Sequence, residues 1–167
     1  IATNEPGDTL FHSGKTDQNF NLPSEDQDFE SHYSVINSEE QVQIYEMVMG
    51  DVNADVTTVL ERAATHLKDN RIPPVGFSTS HFAYDTVQIV GAAFDDEDFN
   101  HENGMEGSGS DNLKFHIPLN GFGGIVNVFA KVYYQTVNDK WLEHMFGYSS
   151  AEIDAFKSYY DNANKTP

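Results

Sequence analysis

The sequence predicts a mainly β protein, an antiparallel β-sandwich with long loops and a C-terminal α-helix. Three observations lead to this fold class. Apolar and polar residues alternate along several short segments, turn-forming residues separate these segments at intervals of about ten residues, and the chain closes with a capped amphipathic segment. A chain of 167 residues is long enough for one substantial core and short for two. We therefore expect one domain over residues 32–167, preceded by an extended arm at 1–31.

The clearest strand signal is the segment 125–135. One side of its two-residue repeat is apolar, with Val126, Val128, Ala130, Val132 and Tyr134, which indicates a strand with one face in a core. Residues 113–119 alternate in the same way. The glycine-rich turn 120–124 is predicted to join the two segments as a hairpin.

Four further stretches have weaker patterns. Residues 41–49 and 81–90 alternate and are predicted strands. Residues 56–67 combine helical spacing with β-branched residues, and we interpret them as extended. The composition of the acidic, Gly- and Ser-rich segment 92–112 cannot support a core, which predicts a mobile loop. A cation could neutralise its cluster Asp95–Asp98, although solvated charge is the more common explanation.

The end of the chain is predicted to be a helix. Ser149 and Glu152 have the spacing of a capping box, and Tyr148 and Ile153 are placed as a hydrophobic staple. One stripe of the helix is apolar, with Ile153, Phe156, Tyr160 and Ala163. This stripe is predicted to be buried.

Charge and composition exclude several classes of function. Nine basic residues against 27 acidic ones give a net charge of −18, which repels phosphate backbones and anionic lipids. Nucleic acid is therefore not an expected partner. The chain has no cysteine, so thiolate metal sites and cysteine nucleophiles are excluded. No apolar run reaches the roughly 18 residues that a membrane span needs. The chain begins at Ile1 rather than methionine, which indicates a processed or trimmed N-terminus or a fragment of a longer chain. Removal of a secretion signal is one interpretation, and we expect a protein that is secreted, periplasmic or on the outer cell surface.

No catalytic motif emerges from the sequence, and we predict that the protein is not an enzyme. There is no Gly-x-Ser-x-Gly elbow. The glycines at 121–124 lie between two predicted strands rather than before a helix, so they do not form a phosphate loop. The many carboxylates follow no buried pattern that would raise a pKa.

Metal binding is the chemistry for which the sequence offers candidates. None of the seven histidines forms a local metal motif, so a site would need residues from distant segments. His32 and His81 each stand beside aromatic residues near predicted strands, and neutral imidazoles bind Cu(I) well. Met47 and Met49 share a strand face, where they are either thioether donors or core residues.

A second candidate cation site is the turn with Asp51, Asn53 and Asp55. Oxygen-bearing side chains at alternating positions open many calcium loops, but the glycine and distal glutamate of an EF-hand are missing. Two interpretations stay open, a calcium site and a turn held by its own Asx hydrogen bonds.

The order of His32, His81 and Trp141 resembles that of the cysteine-poor, surface-associated copper-binding proteins of methane-oxidising bacteria, the MopE/CorA type. This resemblance implies that His32 and His81 hold Cu(I), with Trp141 oxidised to kynurenine as the third donor. His144 would replace His32 if that ligand is wrong. An unmodified Trp141 would instead seal the core, because indole is a poor ligand. The implied function is copper sequestration or uptake.

A second resemblance covers about residues 32–165. The segments 42–46, 68–74 and 133–135 are similar to uncharacterised domains that occur next to multihaem cytochromes. This resemblance implies a non-catalytic accessory module that docks on an electron-transfer partner, such as a c-type cytochrome or a dihaem peroxidase-like protein. Acidic patches commonly meet basic ones in such complexes.

Overall fold

A computed structural model describes residues 1–16, 22, 29–137 and 139–164. The strands are β1 (Ala2–Asn4), β2 (Thr9–Phe11), β3 (Val35–Ile36), β4 (Met47–Gly50), β5 (Val56–Thr57), β6 (Thr65–Asp69), β7 (His101–Glu102), β8 (Met105–Glu106), β9 (Lys114–Phe115) and β10 (Val126–Val128), and the α-helices are α1 (Asp139–Phe146) and α2 (Ala151–Asn162). The described residues form two compact units, one ending at Phe129 and the other beginning at Ala130.

The core of the first unit lies where its ends meet. Strands β10, β1 and β2 form an antiparallel sheet in that order, with Ala2 opposite Val128. Beside it, β3 pairs in parallel with β9. Ala2, Phe11 and Ile36 are buried together. Burial of a phenylalanine or isoleucine side chain contributes about 1.5–3 kcal/mol, so this small cluster is a main source of stability.

The predicted hairpin between residues 113–119 and 125–135 is wrong. β9 and β10 lie in different sheets, because β9 pairs with β3 and β10 pairs with β1. The second strand is also shorter than predicted and ends at Val128. Val132 and Tyr134 are 97% and 90% exposed, so their alternation is not matched by a buried face.

A second antiparallel sheet has the strand order β5-β4-β6. The predicted strand 41–49 begins only at Met47. The extended interpretation of 56–67 is confirmed over β5 and the start of β6, with a 3-10 turn at Leu60–Arg62 between them. Met47 and Met49 are both partly buried in β4.

The prediction of a strand over 81–90 is wrong. This segment holds a 3-10 turn at Tyr84–Thr86, and only Val90 makes a bridge, to Asp69. Backbone turns run through this segment. In one of them the His81 N–H donates to the Ser78 carbonyl. Local turns thus satisfy backbone groups that a strand would have paired with a neighbour.

The acidic segment 92–112 is ordered, contrary to the prediction of a mobile loop. It contains a 3-10 helix at Ala92–Asp95 and the hairpin β7–β8. Its polar Asn100 is fully buried. The Asn100 backbone carbonyl accepts from Gly107 and Ser108, and its side chain donates to the Phe77 carbonyl. Hydrogen bonds made by this one buried residue therefore hold the segment together, alongside the buried apolar side chains of Ala93 and Phe99.

Glu106 attaches this segment to residues 78–79. Its carboxylate accepts from the Thr79 N–H at 2.7 Å and the Ser78 hydroxyl at 2.8 Å. Hydrogen bonds from Thr79, with a smaller one from Ser78, outweigh the opposing effect of burial and lower the pKa of Glu106 below its ordinary value of 4.5.

We expect the stability that Glu106 contributes to be present above pH 4.5 and to be lost as the pH falls through its lowered folded-state pKa. Below that pKa the folded and unfolded states both hold the proton. Glu106→Gln removes the titration, so the stability difference between wild type and variant should shrink as the pH is lowered. Urea unfolding of both proteins across this range checks the prediction. A difference that stays constant with pH would contradict it.

The second unit is a helical hairpin. The Phe146 ring at the end of α1 lies 6.1 Å from the Phe156 ring and 5.8 Å from the Tyr160 ring of α2. Lys157 Nζ lies 5.4 Å from the centre of the Phe146 ring. The predicted C-terminal helix is confirmed, but its cap is Ser150, whose hydroxyl accepts from the Ile153 N–H. The stripe is only partly covered, since no residue of α2 is buried.

Ser150→Ala is expected to lower the stability of α2 by about 1 kcal/mol, because the substitution leaves a first-turn N–H without its acceptor. Ser149→Ala is the matched control, since the Ser149 hydroxyl bonds the exposed Asp154 carboxylate rather than a backbone N–H in the described structure, and we expect a change of a few tenths of a kcal/mol. Thermal unfolding followed by far-ultraviolet circular dichroism compares the two. A larger loss at Ser149 would mean that the capping box predicted from the sequence is the correct one.

In coarse terms the predicted fold class holds, with several small antiparallel sheets and a C-terminal helix. Helix and strand each cover 19% of the described structure, and the sheets are not closed, so a mainly β sandwich is not confirmed. Within the described residues, no helix is long and apolar enough to cross a membrane.

Candidate metal centre

His32 is the one sequence-predicted metal ligand that lies in a cluster of possible donors. Its side chain is 1% exposed, just before Tyr33 and β3. The edge of its ring meets the Phe99 ring at 5.2 Å between centroids. An imidazole enclosed in this way keeps its position and needs partners for both ring nitrogens.

Two carboxylates from the acidic segment join His32. Asp96 ends the 3-10 helix at Ala92–Asp95, and its Oδ2 lies 3.1 Å from His32 Nε2. Asp111 Oδ2 lies 4.0 Å from the same nitrogen. The segment between the two aspartates is closed by a hydrogen bond from the Asn100 N–H to the Ser110 carbonyl, which brings its ends together. Donor atoms of the three side chains lie within 4.8 Å of one another.

Asp111 is the least satisfied member of the group. Its Oδ2 accepts from the Tyr45 hydroxyl at 2.6 Å. Its Oδ1 is buried and has no hydrogen-bond partner in the described structure. Burial, and then the hydrogen bond to Asp111, raise the pKa of Tyr45 well above its ordinary value of 10.0, so the hydroxyl keeps its hydrogen and remains a donor to this carboxylate.

The cluster is rich in negative charge. The side chains of Asp96 and Asp111 are 4% and 1% exposed, and in the described part of the chain neither pairs with lysine or arginine. Burial acts to raise the pKa of Asp96, but hydrogen bonds from the Ser34 side chain, the Asp98 N–H and His32 outweigh it and lower that pKa. Asp96 is thus held as a carboxylate. An uncompensated buried charge costs several kcal/mol, which a bound cation would offset.

His81 and Trp141 lie in other surroundings. His81 is exposed, accepts from the Ala83 N–H through Nδ1 at 3.2 Å, and stacks on Phe82. It does not belong to the group of His32, Asp96 and Asp111. Trp141 lies in α1 of the second unit and is 46% exposed. His144, on the same helix, contacts Tyr148. The copper site of His32, His81 and Trp141 stays a prediction.

The turn at Asp51, Asn53 and Asp55 satisfies itself with hydrogen bonds. Asp51 Oδ1 accepts from the backbone N–H groups of Asn53 and Asp55, at 2.7 and 3.2 Å. Ala54 between them has φ of 66°, as a tight turn requires. This is the geometry of an Asx turn. Calcium at this turn also stays a prediction.

Sequence reasoning found His32 but not its carboxylate partners. Asp96 lies inside the cluster Asp95–Asp98, for which a cation was one explanation, yet solvated charge was preferred. No sequence pattern around Asp111 indicates a metal ligand. Asp96 is 64 residues from His32 in sequence, and no local spacing reports a contact over that separation.

Comparison with known proteins gives no match to a family model, a curated protein or a solved structure. The geometry of the cluster is therefore the basis on which a function can be inferred.

Proposed function

We propose that the protein binds a divalent cation between Asp96 and Asp111, beside His32. The observation that carries this proposal is the orphaned Asp111 Oδ1, a buried carboxylate oxygen without a partner in the described structure. Buried polar atoms are nearly always bonded to protein, water or an ion. In a group whose two carboxylates pair with no lysine or arginine among the described residues, a cation satisfies both the geometry and the charge.

The rival explanation for the cluster is a proton shared by the two aspartates. Two carboxylates in one site can hold one proton, which also lowers their combined charge. A proton would neutralise only one of the two charges, whereas a divalent cation matches both. Binding of a cation to the folded state alone also raises its stability.

Metal content of the full chain separates these two explanations. We expect chelator-treated protein, dialysed against Ca²⁺, Mn²⁺ or Zn²⁺ and analysed by mass spectrometry, to retain one tightly held cation per chain. Asp95→Asn is the matched control, because Asp95 is an exposed carboxylate next to Asp96 and its loss should leave that cation in place. Protein that retains none of the three cations would exclude the proposal and favour the shared proton.

Copper binding is a narrower hypothesis that includes His32. In it, Cu(I) is held by His32, His81 and a kynurenine derived from Trp141, and the secreted protein sequesters or delivers copper. The burial of His32 among polar side chains supports part of it, but carboxylates suit harder cations than Cu(I). Intact mass and the absorption spectrum of native protein would reveal an oxidised Trp141. Copper retained by His81→Ala would exclude this ligand set.

Docking on a multihaem cytochrome is the alternative that the net charge of −18 favours. Complexes held by opposite charges weaken as salt screens them. Binding to a basic c-type cytochrome should therefore fall steeply with added salt. An affinity that does not change with salt concentration would count against this alternative.

A further inference from the structure

The two ring nitrogens of His32 have partners of different kinds. Nε2 faces the carboxylates of Asp96 and Asp111. Nδ1 faces two side-chain amides, Gln43 Nε2 at 2.6 Å and Asn70 Nδ2 at 3.1 Å. Whether these amides present N–H or C=O groups decides which ring nitrogen carries the hydrogen.

The amide of Asn70 has only one consistent orientation. Asn70 is fully buried. Its Oδ1 accepts from the Glu46 backbone N–H at 2.8 Å, and its Nδ2 donates to the Ile44 carbonyl at 2.8 Å. Exchanging the two atoms would set an NH₂ group against an N–H and an oxygen against an oxygen. Asn70 therefore presents an N–H to His32 Nδ1.

The amide of Gln43 is oriented by the same argument. Its Oε1 accepts from the Tyr33 backbone N–H at 2.8 Å, so its NH₂ group must be the one that faces His32. Two amides fixed by the backbone thus both donate toward Nδ1.

With Nδ1 as the acceptor of two N–H groups, the hydrogen of a neutral imidazole lies on Nε2. Nε2 then donates to Asp96 Oδ2. Histidines that ligate metals have the opposite arrangement, since their second nitrogen usually donates to a carboxylate or carbonyl. A lone pair on Nε2 would need a hydrogen on Nδ1, directed at two N–H groups.

We infer that His32 positions the site as an N–H donor to Asp96 and is not itself a metal ligand. This inference rests on the proposed function and narrows the ligand. Asp96 and Asp111 would bind the cation through oxygen alone, which favours Ca²⁺ or Mn²⁺ over cations that prefer imidazole, such as Zn²⁺ and copper. The free Asp111 Oδ1 is the first oxygen available to it.

Nitrogen-15 NMR of the histidine rings in the full, chelator-treated chain tests the tautomer. We expect His32 to show a protonated Nε2 and an unprotonated Nδ1, and to keep that pattern when Ca²⁺ is added. A hydrogen on Nδ1, or a shift of Nε2 typical of a metal-bound nitrogen when Zn²⁺ is added, would overturn the inference while leaving a cation site in place.

Two substitutions test the role of the N–H group. His32→Leu removes the donor and should weaken Mn²⁺ binding by about 10- to 100-fold, the usual cost of an outer-shell partner. His32→Gln offers an N–H again and should recover most of that loss. Equal loss in both variants, together with Zn²⁺ bound far more tightly than Mn²⁺ by wild type, would identify His32 as a ligand. Wild type that binds none of Ca²⁺, Mn²⁺ and Zn²⁺ would overturn the proposed function and, with it, this inference.

Discussion

Asp111→Asn is expected to weaken cation binding by at least about a hundredfold. Loss of a residue that only positions a metal ligand already lowers affinity by about 10- to 100-fold, and Asp111 is proposed to bind the cation directly. Asp111 supplies the buried Oδ1, for which the described residues offer no partner, and half of the negative charge in the cluster. Asparagine keeps the shape of the side chain and can still accept from the Tyr45 hydroxyl. Titration calorimetry with Ca²⁺ and Mn²⁺ measures the loss.

The stability of the same variant without metal gives an independent check. In chelator, Asp111→Asn should unfold at an equal or higher urea concentration than wild type, because removing an uncompensated buried charge is favourable. The exposed variant Asp95→Asn should match wild type in both experiments. Unchanged affinity in Asp111→Asn, or equal losses in the two variants, would show that cations bind elsewhere on the acidic surface.

Asn70→Ala is expected to destabilise the first unit by about 1–3 kcal/mol, since a buried group left without a partner costs roughly that much. The Asn70 side chain bonds the Glu46 N–H, the Ile44 carbonyl and His32 Nδ1. Its removal would leave the Glu46 N–H without that acceptor, whereas the Ile44 carbonyl would keep Lys68 Nζ and His32 Nδ1 would keep the Gln43 amide. Urea unfolding in the presence of chelator measures this effect without a contribution from bound cation.

Asn53→Ala is the matched control for that substitution, because Asn53 is exposed in the turn 51–55. We expect a change within about 0.5 kcal/mol. If Asn70→Ala were as mild as Asn53→Ala, the amide would not hold the hydrogen bonds on which the tautomer of His32 depends.

Elements specified by local pattern were predictable from the sequence. The C-terminal helix follows from its apolar spacing, although the cap lies one residue later, at Ser150. The extended structure near 56–67 follows from its β-branched residues. Pairing of strands was not predictable, since β10 joins β1 from the opposite end of the first unit, and alternation alone does not name a partner.

The acidic segment 92–112 shows how composition can mislead. Its charges indicated a mobile loop, but one buried residue, Asn100, bonds several of its backbone groups through its own backbone and its side chain. Composition also gives no way to tell which carboxylates of this segment belong to the candidate metal site. His32 stood out by its aromatic neighbours, whereas Asp96 and Asp111 resemble the other carboxylates of the segment until the fold brings them to the imidazole.

The most direct measurement of where the cation binds is paramagnetic broadening of the protein's NMR signals by a small amount of Mn²⁺. We predict broadening centred on His32, Asp96 and Asp111 in the full chain, and its loss in Asp111→Asn. Broadening centred on the turn at 51–55, or spread evenly over exposed carboxylates, would contradict it.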